Sequence, residues 1–256
     1  MREIIYGRNP VHECLRSERR DVFKVLVARG AKEQGTLAEI VALAGTRRTP
    51  VQRVDRQQLD KLGKQVKHQG VVAEVSGYPY ADMDKILALA AERGEPLWIL
   101  VLDCLQDPQN LGTLLRTAEI VGVHGVVIPG RRAVGVTPAV VSASSGASEH
   151  LLVAQVTNLV RTMGTLKERD VWFVGLEAVS GAQTLWEADL GGAWGLVVGS
   201  EGQGMRRLVR ETCDLMVRLP MWGQIGSLNA AVAGSVALYE IARQRRSGSD
   251  AQRSNS

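Results

Sequence analysis

Three things are scarce in this chain, and each scarcity narrows what it can be. Aromatic residues are only 4% of its 256 residues, so the core must be built from Val, Leu, Ile and Ala, the usual filling of parallel sheets flanked by helices. There are three cysteines, Cys14, Cys104 and Cys213. They are odd in number, far apart and without C-x-x-C spacing, which excludes a disulfide framework or a zinc site and leaves reduced structural thiols. No apolar run approaches the roughly 18 residues of a membrane span, and Met1 to Gly7 lacks the charged-then-apolar pattern of a secretion signal, so a cytoplasmic protein is expected. What is present, 45% hydrophobic and 23% charged residues, suffices for one large domain or two modest ones.

The net charge of +4 is unevenly placed. Residues 1–75 carry 15 Lys/Arg against 9 Asp/Glu, a balance of +6, whereas residues 76–256 carry 16 against 18, a balance of −2. An excess in the first third reads equally as a solvated surface or as an electrostatic footprint for nucleic acid.

Within residues 1–75, β-rich runs (Glu3 to Tyr6, Val22 to Ala28, Val51 to Val54, Val71 to Val75) alternate with helical stretches around Pro10 to Ser17, Lys32 to Ala44 and Arg56 to Leu62, predicting a small α/β module. Turn composition at Ser76 to Tyr80 and an amphipathic helix over Ala81 to Arg93 place a linker at 76–96. From Leu97 onward six apolar runs (Leu97 to Leu102, Gly125 to Ile128, Leu151 to Val156, Val171 to Leu176, Trp194 to Val198, Leu215 to Leu219) predict a mainly parallel sheet covered on both faces, closed by a helix from Ser227 to about Arg245. Residues 97–246 form this second domain, and the polar tail 247–256 is expected to stay unfolded.

Ligands of open parallel sheets bind at the carboxyl ends of strands, and three of the loops there are rich in polar residues and glycine. The first, after Leu102, runs through Asp107-Pro108-Gln109-Asn110 to Arg116. The second is Gly199-Ser200-Glu201-Gly202-Gln203-Gly204, and the third is Pro220-Met221-Trp222-Gly223 through Ser227-Leu228-Asn229. Taken singly, each has a plain structural reading: Asp107 or Asn110 as a helix cap, Arg116 as a solvated side chain, the glycines as a tight turn, Ser227 as the N-cap of the last helix. The second loop is neither G-x-G-x-x-G nor a P-loop, which argues against a nicotinamide dehydrogenase on a doubly wound sheet.

Taken together, in order and spacing, the segments Asp107-Pro-x-Asn110-x-Gly112-x-x-x-Arg116-Thr-Ala, Gly199-x-Glu201-Gly-x-Gly204 and Pro220-Met221-x-Gly-x-x-x-Ser227-Leu-Asn229 resemble the three signature motifs of the SpoU/TrmH branch of the SPOUT RNA methyltransferases. Tyr6-Gly7-x-Asn9-Pro-Val, Leu59-x-x-Leu62 and His68-Gln69-Gly70-Val71 are similar to that family's substrate-binding extension, which itself resembles ribosomal protein L30. One departure is Ala231, where relatives often carry Ser; an effect on packing or cofactor contacts is expected.

The resemblance implies an α/β catalytic domain with a C-terminal trefoil knot, a homodimer, and transfer of a methyl group from S-adenosylmethionine to a ribose 2′-hydroxyl, with 23S ribosomal RNA guanosine the nearest target. It implies that Asn110, Arg116, Glu201, Ser227 and Asn229 line the reaction centre, and that backbone around Gly199, Leu219, Met221 and Leu228 holds the cofactor. Arg8, Lys64, Lys67 and His68 are the expected RNA contacts of the first domain, and no metal is called for. The rival readings are the same chemistry on tRNA or another rRNA site, and an inactive RNA-binding or ribosome-assembly protein. Intact Asn110, Arg116, Glu201, Ser227 and Asn229 argue against the last.

Overall fold

The computed structural model describes residues 2–62 and 66–253, the last six by backbone alone. The chain divides into two units. In the first, β1 (Arg2–Tyr6), α1 (Arg8–Ser17), β2 (Val22–Ala28), α2 (Thr36–Thr46), β3 (Val51–Val54), α3 (Arg56–Leu62) and β4 (Val71–Ser76) follow one another. The four strands form one sheet in the order β1-β4-β2-β3, with β2 and β3 parallel and the other pairs antiparallel. The alternation of the strands sends Leu26, Ala28, Val54 and Val72 towards Leu59 of α3. Val25, Val27 and Ile5 are buried as well, as are Val11, Cys14 and Leu15 on the apolar side of α1.

The second unit contains α4 (Met83–Arg93), β5 (Trp98–Asp103), α5 (Pro108–Val121) and β6 (Gly125–Pro129). The chain then leaves it: residues 136–150, with α6 (Pro138–Ala143) and a 3-10 turn at Ala147–Glu149, belong to the first unit. It returns for β7 (Val153–Val156), α7 (Leu159–Lys167), β8 (Trp172–Leu176), β9 (Gln183–Thr184), β10 (Trp194–Gly199), α8 (Arg207–Thr212), β11 (Leu215–Arg218) and α9 (Ala230–Arg253). All seven strands are parallel, in the order β7-β6-β5-β10-β8-β11-β9. Every residue of β5 and β6 is buried, which is why these strands read as unbroken apolar runs. From β5 the chain winds outward through β6 to β7, then crosses back so that β8, β10 and β11 build the other half. A doubly wound sheet reverses direction in this way beside its ligand crevice.

The grouping by contacts and the extent of α9 differ from the expected bounds in three places. The boundary lies between Pro79 and Tyr80, so α4 is part of the second unit rather than of a linker. Residues 136–150, expected within residues 97–246, group by contacts with the first unit, where Val140 and Val141 are fully buried and Glu149 reaches Arg20 at 3.0 Å. The tail continues α9 as helix through Arg253, although Ser247, Gly248, Ser249 and Asp250 are weak helix formers, because lengthening an existing helix needs no new nucleus. Cys14 lies fully buried with its thiol pushed up to about 12 by burial, and none of the three cysteines is in a disulfide. No helix among the described residues is long and apolar enough to cross a membrane.

Candidate active site

The segment after β5 enters α5 through Asp107, whose carboxylate accepts from Gln109 N at 2.9 Å while Pro108 occupies the first turn. This cap orients the first turn so that Asn110 is only 8% exposed. Two turns along, Arg116 lies on the exposed side of α5.

The loop after β10 folds back on itself. Ser200 and Gly204 exchange backbone hydrogen bonds of 3.1 and 3.0 Å, and a Cβ on Gly199 would lie 2.3 to 2.6 Å from the backbone of Gly204 and Met205. Only glycine admits that crossing. Gly204 has φ +68° and faces the Glu177 carboxylate from the end of β8, so it too requires glycine.

The third segment is exposed from Met221 to Asn229. Asn229, not Ser227, caps α9: its side-chain oxygen accepts from Ala231 N at 2.9 Å and Val232 N at 3.2 Å. The expected cap at Ser227 is therefore corrected, since the helix begins three residues later than the composition suggests and Ser227 is left to line a cavity.

These three segments meet in a directed chain of hydrogen bonds. With its oxygen engaged by the helix amides, Asn229 turns its amide nitrogen to Asn110 Oδ1 at 3.0 Å. Asn110 must then present its own nitrogen outward, and it donates to Glu201 Oε1. The amide orientations are thus fixed by chemistry: helix amides to Asn229, Asn229 to Asn110, Asn110 to a carboxylate that can only accept.

Beside this relay lies a cavity of about 510 Å³ at the carboxyl ends of β8, β10 and β11, within the range of roughly 300–1,000 Å³ usual for small-molecule sites. Of the expected residues, Gly199, Leu219, Met221 and Leu228 line it, as do Glu201, Ser227 and Asn229. Asn110 reaches it through the relay, and Arg116 is not among its lining. Sequence reasoning missed Glu177 and Arg218, which also line it; both lie outside the three motif segments, so only strand order brings them in. Ala231 is 1% exposed and does not line the cavity, placing it in packing. No group of His, Cys, Asp or Glu among the described residues could hold a metal ion.

The expected RNA contacts of the first unit part ways. Lys67 is exposed. Arg8 is half-buried, its backbone N–H donating to Gln69 Oε1 at 3.0 Å and its Nε to Gln69 O at 3.4 Å. Lys64 lies outside the described residues. His68 departs from the expectation: it is 3% exposed, its Nδ1 accepts from Gly70 N at 3.0 Å, and its Nε2 donates to Asp60 at 2.8 Å. Both ring nitrogens hold the turn before β4, leaving none for a phosphate.

Known proteins resemble this chain in sequence and in fold. Residues 98–239 match the SpoU rRNA methylase family, and residues 4–81 match the domain described as RNA 2′-O ribose methyltransferase substrate binding. YacO of Bacillus subtilis, whose name places it among TrmH family tRNA/rRNA methyltransferases, is 44% identical over 243 residues, covering 95% of this chain and 96% of its own. A tRNA/rRNA methyltransferase of Mycobacterium sp. (strain KMS) is 44% identical over 245 residues, 96% of this chain and 77% of its own. Among solved structures, the SpoU methyltransferase AviRb from Streptomyces viridochromogenes, in complex with AdoMet, superposes with TM-score 0.80 at 26% identity, covering 96% of this chain and 91% of that one. With its second and third motifs on one cavity, the first joined to them through Asn110, and both of its domains matched, the chain belongs to the SpoU rRNA methylase family of RNA 2′-O-ribose methyltransferases, whose methyl donor is S-adenosylmethionine.

Proposed function

We propose that this enzyme methylates the ribose 2′-hydroxyl of a guanosine in 23S ribosomal RNA, the first unit holding the RNA and the second performing the transfer. The observation that carries the reading is the relay from Asn229 through Asn110 to Glu201 at the mouth of a glycine-walled cavity. A zwitterionic nucleoside derivative suits that cavity, which offers backbone on the Gly199 side and charged Glu201 and Arg218 around it. When bound, S-adenosylmethionine supplies an electrophilic methyl group on a sulfonium sulfur.

The protein's part is to position and to manage charge. A ribose hydroxyl is a poor nucleophile and must lose its proton as its oxygen attacks. Arg116 occupies the position of the family's candidate base, but a guanidinium with pKa above about 12 does not accept protons near neutrality. Arg116 instead clamps the RNA phosphate beside the target ribose and stabilises the developing alkoxide, and its exposed place on α5 supports contact with RNA. Asn110, Glu201, Ser227 and Asn229 orient ribose and cofactor.

The working form is a homodimer with a trefoil knot in the last third of each catalytic domain, as the family resemblance implies. Val232, Val236 and Tyr239 on α9 and Ile120 on α5, 37–56% exposed, form apolar surface for a second copy. Mapping ribose methylation across total RNA with and without the gene tests the target. Loss at one guanosine of 23S rRNA is expected; loss confined to tRNA, the substrate that the relatives' names also allow, overturns the 23S assignment while keeping the chemistry.

A further inference from the structure

The loop that carries Glu201 has no apolar anchor at its tip: Ser200 is half-buried, and Glu201, Gly202 and Gln203 are exposed. Its two glycines with positive φ, Gly202 and Gly204, make its chain conformationally free. Something else must hold it in the fold that brings Glu201 to Asn110. Two arginines just beyond the loop do so, each from a carboxylate at the end of a different strand.

Asp103, the last residue of β5, is fully buried and accepts from Arg206 N at 2.8 Å and Arg206 Nε at 2.8 Å, with Arg206 NH2 2.7 Å from the same carboxylate. Glu177, one residue beyond β8, receives a two-pronged contact from Arg210, Nε to Oε2 at 2.8 Å and NH2 to Oε1 at 3.2 Å. The same NH2 donates to Met205 O at 3.1 Å. Met205 N and the adjoining Gly204 carbonyl are the atoms lying against Gly199, so the Arg210 contact secures the crossing itself. Planar guanidinium forks fix direction as well as distance, which an ammonium does not.

We propose that Asp103–Arg206 and Glu177–Arg210 are positioning pairs for methyl transfer, holding residues 199–205 so that Glu201 meets Asn110. Neither pair lies in a signature motif. Both act through Glu201 and rest on the reading of the relay given above.

The accessible test is the Glu177–Arg210 pair, whose partly exposed side chains permit substitution without opening the core. In Glu177→Gln and Arg210→Lys, kcat should fall roughly ten- to hundredfold, as small misplacements of reacting groups do, with the thermal midpoint moving by no more than about 3 °C because such pairs contribute little to stability. In cofactor-free protein, the amides of Ser200 and Gly204, which bond to each other, should exchange with deuterium at least tenfold faster. Because the pair acts through Glu201, Glu177→Gln combined with Glu201→Gln should be no slower than Glu201→Gln alone. Multiplying defects in the double variant, or wild-type exchange in both single variants, overturns the proposal. Full turnover by Glu201→Gln overturns the relay itself and with it any reason to position it; that outcome is distinguished by needing no change at Glu177.

Discussion

Each unit holds a polar cluster, and the two clusters end in opposite ways. In the first unit, Arg20, 5% exposed, lies 2.7 Å from Glu3 and 3.0 Å from Glu149, its guanidinium 4.8 Å from the centre of the Tyr78 ring. Burial holds the Glu149 carboxyl above its ordinary value, with Arg20 and Arg19 pulling the other way. His68 is likewise enclosed and engaged at both nitrogens. In the second unit, Asn229, Asn110 and Glu201 form a chain that ends at an open cavity. Polar groups that close on one another hold a domain together; those that end at solvent await a partner.

The largest break in this comparison is expected from Arg116→Ala. It should lower turnover by roughly 10²–10³, as removal of a charge-stabilising donor does, while S-adenosylmethionine affinity measured by calorimetry stays within a few-fold, because Arg116 does not line the cavity. Equal loss of both would reassign Arg116 to the cofactor. Next is Arg20→Ala, which removes the guanidinium that pairs with both Glu149 and Glu3. Loss of about 3–5 kcal/mol in urea unfolding is expected, with cofactor affinity unaltered in the protein that remains folded.

Third, even a methyl at Gly199 meets the protein's own backbone at Gly204, so Gly199→Ala should weaken cofactor binding at least tenfold by displacing the loop rather than by filling the cavity. Unchanged affinity would move the binding site elsewhere. The smallest effect concerns RNA. Neutralising Arg8 and Lys67 to Gln should make log affinity against log salt shallower by roughly 0.7 for each single-strand phosphate that the protein no longer neutralises. His68→Asn, whose wild-type ring is engaged internally, should leave that slope unchanged. A slope that follows His68 instead would return it to the RNA interface.

Much of the molecule is legible in its sequence because it is local. The apolar runs of β5, β6 and β10 have the length and unbroken apolar character of buried parallel strands, and the motif spacings mark Asn110, Glu201 and Asn229 as candidates. Less local features are not legible. Ser227 and Asn229 are both good caps by composition; the choice between them follows from where α9 packs. His68 resembles an exposed basic residue until Asp60 and Gly70 close around it. The assignment of 136–150 turns on Arg20 and Glu149, which are far apart in sequence and meet only in the folded unit.

The sequence by itself determined the two-domain α/β organisation, the sites where strands end in polar loops, and the residue types available there, because hydrophobic periodicity and turn chemistry act within a few residues. Tertiary structure alone decided which polar groups meet. The crossover that seats β10 between β5 and β8 brings Asp103, Glu177 and Gly199 together at the carboxyl end of the sheet's central strands, and hydrogen bonds and ion pairs form only over distances of a few ångströms.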